Sequence, residues 1–310
     1  MSTINIALAA DDNYAQHVAV VIASVMSNTT AKDVSFYLLS DGIKERKLNK
    51  IENTATNFGA KVNVLDLSKF DLFDKLFTSG HISKAAYFRL DIANLVPETV
   101  KKIIYTDVDL VVREDVQELW NFNLQGKPLA AVPDLGIMSS KRLMTQKHDV
   151  LGIDVNDEYF NSGVLIIDID AWRKKNYAKK VIELASAGNL PHHDQDALNK
   201  VFYKNWQPLP LKWNVIPPVY NLFAKLLLKN RFRKSAIEAK KAMCIMHFAG
   251  RYKPWEFEKQ KTFNNEYYDY LQKTAFKNEK MPQPGRNMKG KSLARALWRL
   301  KLADFWSSLL

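Results

Sequence analysis

The chain has 310 residues, 47% hydrophobic and 25% charged, a balance that suits a globular protein of one large domain or two coupled ones. Its single cysteine, Cys244, excludes an internal disulfide and a cysteine cluster for structural zinc, which suits a reducing, cytosolic compartment. No window approaches the roughly 20 apolar residues that span a bilayer and "MSTINIALAADDNY" lacks the basic and apolar regions of an export signal, whereas the net charge of +12 predicts an anionic partner: nucleic acid, acidic lipid or phosphorylated substrate.

In chain order, "INIALAA" reads as a first strand that stops at Asp11, Asp12 and Asn13, where the helix of "YAQHVAVVIASVMSN" can be capped. "VSFYLLSDG" is a second apolar strand ending in a turn. An amphipathic helix follows over residues 44–57, and "KVNVLDL" reads as a third strand. "SKAAYFRLDIANLV" is expected to be a helix ended by Pro97, and "KKIIYTDVDLVV" the next strand. "YFNSGVLIIDIDAWRKK" runs from strand into helix, and "HHDQDALNKVFYKN" gives a further helix. Residues 208–218 are proline-rich and irregular, and residues 225–241 are densely basic. Cys244, flanked by Met243, Ile245 and Met246, reads as a buried small hydrophobe. Strands alternating with helices predict an α/β class with a mostly parallel sheet.

Ligands of such sheets sit at the carboxyl ends of the strands, so Asp11 and Asn13 are expected to share a crevice with Asp107 and Asp109. In extended backbone, residues two apart point to one side, and Asp107 and Asp109 can aim their carboxylates at one point. Adjacent negative charges repel unless a cation lies between them, and hard oxygen ligands suit Mg²⁺ or Mn²⁺. The plainer reading is a solvated strand end that caps a turn. "MHFAGRYKPW" adds His247 as a possible metal ligand, Gly250 for close backbone approach and Lys253 for phosphate; Trp255 reads as core. In "HHDQDALN", Asp194, Gln195 and Asp196 either cap a helix or face the hydroxyls of a sugar. Arg89 reads as a surface group or as a clamp on a diphosphate or donor sugar.

Taken together and in this order, "AADDNY", "HISKAAYFRLD", "YTDVDLVV", "YFNSGVLIIDIDAWR", "HHDQDALN" and "MHFAGRYKPW" resemble glycosyltransferase family 8, nearest to bacterial lipopolysaccharide and lipooligosaccharide galactosyl- and glucosyltransferases. The resemblance covers residues 4–255. It implies a GT-A fold that uses Mn²⁺ (or Mg²⁺) and UDP-galactose or UDP-glucose, with retention at the anomeric carbon. By the same motifs Asp107, Asp109 and His247 would ligate the metal, and Ala9, Asp11, Asn13 and Val108 would meet the uridine and ribose. Gly250 and Lys253 would close over the phosphates, and Arg89, Asp134, Asn161, Asp194 and Gln195 would line the donor sugar and catalytic centre. Gln195 is an amide and a poor nucleophile, which favours a front-face, oxocarbenium-like route. His193, and Arg251 with Tyr252, are departures from some relatives that leave donor and acceptor choice open.

A catalytic domain over 1–283 and a basic, aromatic segment over 284–310 are expected. In "KSLARALWRL", Leu293, Ala296, Leu297 and Leu300 share one helical face with Arg295 and Arg299 opposite; Trp298 and Lys301 sit off that pattern, and Asp304 interrupts the apolar face. That segment fits either a helix lying on anionic lipid or one packed on its own domain. The resemblance favours the first, with a lipid-linked saccharide acceptor and a place on the cytoplasmic face of the bacterial inner membrane. Two alternatives stand beside this reading. A self-glucosylating initiator of a glucose polymer would gain a hexose in UDP-glucose alone. A nucleic-acid-binding protein would use the basic stretch, yet no nucleic-acid motif is present and none is expected as partner.

Overall fold

The computed structural model describes residues 3–73, 84–188, 190–220, 228–250, 253–256, 261–279 and 290–307. Its strands are β1 (Ile4–Asp11), β2 (Val34–Asp41), β3 (Lys61–Asp66), β4 (Lys102–Thr106), β5 (Leu110–Val112), β6 (Leu129–Pro133), β7 (Phe160–Asp168), β8 (Gln207–Pro208) and β9 (Ile245–His247). The longer helices are α1 (Ala15–Asn28), α2 (Glu45–Asn57), α3 (Lys141–Leu151), α4 (Ile169–Lys175), α5 (Tyr177–Ser186), α6 (His193–Val201), α7 (Asn230–Lys241), α8 (Lys261–Leu271) and α9 (Gly290–Ser307).

Seven strands form one sheet in the order β3-β2-β1-β4-β7-β6-β8, and β5 pairs with β9 in a second, two-stranded sheet. β3, β2, β1 and β4 are mutually parallel, as the alternation of strands and helices predicts; β7 runs antiparallel to both β4 and β6. The sheet is sandwiched because its strands are apolar on both faces. Ile4, Ile6 and Leu8 of β1 face Val18, Val21 and Ile22 of α1, while Ala7 and Ala9 face the opposite core with Phe88, Trp172 and Leu198. Burying each such large side chain contributes about 1.5–3 kcal/mol, so the covering helices are held by burial more than by propensity. Cys244 is buried, as its apolar neighbours predict.

Two expected elements differ. "KKIIYTDVDLVV" is not one strand: β4 stops at Thr106, and the chain leaves the large sheet to join β9 as β5. The segment Lys84–Asp91 is a 3₁₀ turn, and only Ile92–Leu95 is α-helical. A 3₁₀ path lines up residues three apart, which suits a segment that buries Phe88 on one side and sets Ala86 and Arg89 together on another.

After β9 the chain returns across α1 and α2. Arg113 pairs with Glu266 at 2.9 Å, Lys50 with Glu279 at 2.7 Å, and Trp255 stacks on His17 with ring centroids 3.6 Å apart. α9 contacts α8 and buries Ala296, while Arg295, Leu297, Trp298 and Lys301 are exposed. Among the described residues no helix is long and apolar enough to cross a membrane. The side chains of Arg299, Leu300 and Asp304, residues 81–83 and 225–227, Arg251, Tyr252 and positions 280–289 lie outside the described residues.

Candidate active site

The break between β4 and β5 builds the site. Asp107 N–H still donates to Gly163 O of β7 at 2.8 Å, whereas Asp109 O accepts from Phe248 N–H at 2.8 Å, just past β9. Asp107 therefore closes the large sheet and Asp109 opens the small one. The two carboxylates are brought together by a strand changing sheets, rather than by the alternation within one strand. Pairing of Leu110 with His247 across β5 and β9 adds the imidazole. Ligand atoms of Asp107, Asp109 and His247 all lie within 4.8 Å of one another. They face a cleft of about 530 Å³ at the carboxyl ends of β1 and β4, the place expected for a ligand of a parallel sheet.

The charges there are dense. Lys253 Nζ donates to Asp109 Oδ2, and His247 Nε2 lies 3.0 Å from Asp109 Oδ1. Burial alone would raise the Asp109 pKa, but Lys253 and His247 outweigh it and hold it well below the usual carboxylate range. Arg89 is not the surface group its type suggests. Buried against the Tyr105 ring, it pairs with Asp107 at 2.9 Å and with Asp194 at 3.2 Å. Burial would lower the Arg89 pKa, but Asp107 leads the groups that raise it instead. Asp194 is buried too, and burial raises its pKa against the pull of Arg89.

A second network fixes amide directions. Gly163 N–H donates to Asn161 Oδ1 at 2.9 Å, so that oxygen must also be the acceptor for Asn214 Nδ2 at 2.8 Å. Asn214 Oδ1 is thereby left facing His247 Nδ1 at 2.8 Å, which places the ring proton on Nδ1. In its neutral form the ring would turn the Nε2 lone pair toward the oxygens of Asp109 and Asp107, an arrangement that a cation between them completes. Second-sphere support of this kind is usual for a metal-binding imidazole, so the donor set fits a divalent cation. Gly163 is needed for it, because a Cβ there would lie 2.4 Å from His247 Cε1 and 2.8 Å from Asp107 Oδ2. Gln195 Oε1 accepts from Ser162 N–H at 3.1 Å and Asn161 Nδ2 at 3.2 Å, and Gln195 Nε2 donates to Asp134 Oδ2 at 3.2 Å.

Of the residues singled out in the sequence, Ala9, Asp11, Val108, Arg89, Asn161, Asp194, Gln195, Gly250 and Lys253 line the same cleft as the Asp107–Asp109–His247 group. Asn13 is exposed outside its wall, with its N–H held by Asp11. Asp134 stands behind the wall, bonded to Asn161 and Gln195. The N-cap residue of α6, His192, makes no side-chain cap of its own; Asp194 turns to Arg89, and Asp196, besides holding Lys147, accepts the His192 N–H at 2.8 Å at the start of the helix. Trp255 is core, as expected. Sequence reasoning misses Gly163, Asn214 and Ser162. A glycine inside the apolar strand "NSGVLIID" signals close approach; Asn214 carries no comparable mark.

A family model described as glycosyl transferase family 8 matches residues 5–259. The chain belongs to glycosyl transferase family 8. Among its relatives, general stress protein A of Bacillus subtilis strain 168 is 34% identical over 279 residues, 86% of this chain and 92% of that protein. Lipopolysaccharide 1,2-glucosyltransferase of Escherichia coli K12 is 28% identical over 257 residues, 81% of this chain and 72% of that protein. The solved structure of galactosyltransferase LgtC in complex with donor and acceptor sugar analogs has a TM-score of 0.77 at 23% identity, covering 90% of this chain and 98% of that one. That likeness bears out the GT-A fold with a mostly parallel sheet. As a family 8 glycosyltransferase, the chain takes a nucleotide-sugar donor and a saccharide acceptor.

Proposed function

We propose that this chain is a Mn²⁺-dependent retaining hexosyltransferase that moves galactose or glucose from UDP to a hydroxyl of a lipid-linked saccharide of the lipopolysaccharide type. The observation that carries the reading is the convergence of Asp107, Asp109 and His247 within 4.8 Å beside Lys253. An imidazole among carboxylates favours Mn²⁺ over Mg²⁺. Bound there, the cation would neutralise the diphosphate and the charge that grows on it as UDP leaves.

The chain's own residues do the rest. Lys253, already inside the cleft, offers an ammonium to the same phosphates, and Gly250 (φ +88°) lets backbone approach them. Ala9, Asp11 and Val108 form the wall where the nucleoside would lie. Arg89 fixes Asp107 and Asp194 relative to one another, so the phosphate end and the sugar end keep one geometry. Gln195 Oε1 is occupied by two donors, which argues against it as a nucleophile and supports a front-face route. An isolated covalent glycosyl adduct on Asp194 or Gln195 would overturn that route. Asp134 acts from behind, by orienting Asn161 and Gln195.

The exposed Trp298, Arg295 and Lys301 of α9 support a peripheral site on the inner face of the bacterial inner membrane, with 284–310 as the associating segment and 1–283 as the catalytic domain. Release of UDP from a panel of UDP-sugars, with Mn²⁺ or with chelator, tests the reading. Metal-dependent release from one hexose donor is expected; no release from any donor would sink it.

A further inference from the structure

α3 contributes a lysine that the reaction does not use and that ought not to be where it is. Lys147 has a side chain with 0% exposure, and so does its partner Asp196. Lys147 Nζ lies 2.6 Å from Asp196 Oδ1 and 2.9 Å from Oδ2; Tyr159 O–H donates to Oδ1 at 2.6 Å and His192 N–H to Oδ2 at 2.8 Å. A buried ion pair needs its remaining hydrogen-bonding capacity filled, and the remaining Lys147 bond goes to His192 Nδ1 at 2.6 Å. His192 lines the cleft, one-third exposed, two residues before Asp194.

That contact has one chemical solution. An ammonium only donates, so His192 Nδ1 must accept, and the neutral ring carries its proton on Nε2. A second ring proton would set N–H against N–H beside a positive charge. Burial first, and Lys147 next, accordingly lower the His192 pKa. His192 Nε2 makes no hydrogen bond to another described residue.

We propose that His192 is a sugar-binding, specificity-determining residue, locked by Lys147 as a neutral donor that offers Nε2–H to a saccharide hydroxyl oxygen in the cleft. The inference rests on the hexosyltransferase reading, because the cleft must hold sugars. The hydroxyl belongs either to the transferred hexose or to the acceptor; the chemistry is shared. A site built around a fixed donor discriminates against a sugar that lacks the matching hydroxyl.

The test compares wild type, His192→Phe and His192→Gln in two assays: UDP release without acceptor, and transfer to a saccharide panel. His192→Phe is expected to raise one KM about five- to tenfold, the size of one lost neutral hydrogen bond, with kcat changing less. His192→Gln, which keeps an N–H near the Nε2 position, should restore most of it. A raised donor KM in both assays assigns the hydroxyl to the hexose; a raised acceptor KM alone assigns it to the acceptor. Unchanged KM values in a folded His192→Phe protein overturn the proposal. Should that variant not fold, the imidazole ¹⁵N spectrum of the native protein decides: the Nε2–H form is expected, and an Nδ1–H form rejects it. Failure of wild type to release UDP would instead indict the hexosyltransferase reading.

Discussion

At one end of the site's polar network Asp107, Asp109 and Asp194 meet Arg89 and Lys253. At the other end of that network, partly behind the cleft wall, Asn161, Gln195 and Asn214 meet Asp134 and the backbone N–H groups of Ser162 and Gly163. Both ends hold polar groups in a partly dry space, but by different means. The ionic end is arranged by charge count: its carboxylates outnumber its fixed cations, so the balance is left for a ligand to complete. The amide end is arranged by direction. Two backbone donors dictate which way each amide faces, and the order ends at the His247 Nδ1 proton. His247 belongs to both ends, so the neutral network prepares the charged one.

Changing the charge count at the ionic end should have the largest effect. Asp109→Ala removes one of three converging ligand groups and leaves Lys253 facing none; a loss of at least about 10²–10³-fold in metal-dependent UDP release is expected, measured at saturating donor. Gly163→Ala strikes the boundary between the ends, since the new methyl meets His247 Cε1 and Asn161 Oδ1. Overpacking there should cost about 1–3 kcal/mol in urea unfolding, together with weaker Mn²⁺ binding in a calorimetric titration. Asn214→Ala leaves every charge in place and removes only direction. A fall in Mn²⁺ affinity of roughly 10-fold would show that the amide end orients the imidazole, and unchanged affinity would separate the two ends.

The smallest effect should be on stability. Asp194 has a folded-state pKa raised above its unfolded value of roughly 3.9. Its ionised form is therefore disfavoured by folding: the cost is present at neutral pH and fades as pH falls through the folded pKa toward the unfolded one. Asp194→Asn should be more stable than wild type near pH 7, by about 1 kcal/mol or less, with the difference shrinking toward pH 4 and sugar transfer impaired throughout. Paired urea titrations at the two pH values check the sign.

The parallel half of the sheet was legible because "INIALAA", "VSFYLLSDG" and "KVNVLDL" alternate with amphipathic helices. The antiparallel run of β7 was not, since an apolar strand carries no mark of direction. Nor was the split of "KKIIYTDVDLVV": β5 leaves for a partner, β9, that lies far along the chain and is only three residues long. Asp107, Asp109 and His247 were legible as ligand types, but their meeting depends on that split. By residue type alone Arg89 reads as a surface group or a clamp on a ligand, and only the resemblance puts it in the site, because burial of a guanidinium makes sense only once Asp107 and Asp194 are seen on both sides of it. Asn214 could not be found from sequence, as its role comes entirely from the direction imposed by Gly163.

The strand that changes sheets also ties ligand occupancy to the cohesion of the whole chain. Asp107 is bonded into the large sheet and Asp109 and His247 into the small one, so anything gripping all three spans the join. By mass action, a ligand at 100 times its Kd adds about 2.7 kcal/mol to the folded state. Thermal melts with Mn²⁺ and UDP together should therefore shift upward as a single transition, with both sheets unfolding later and in step.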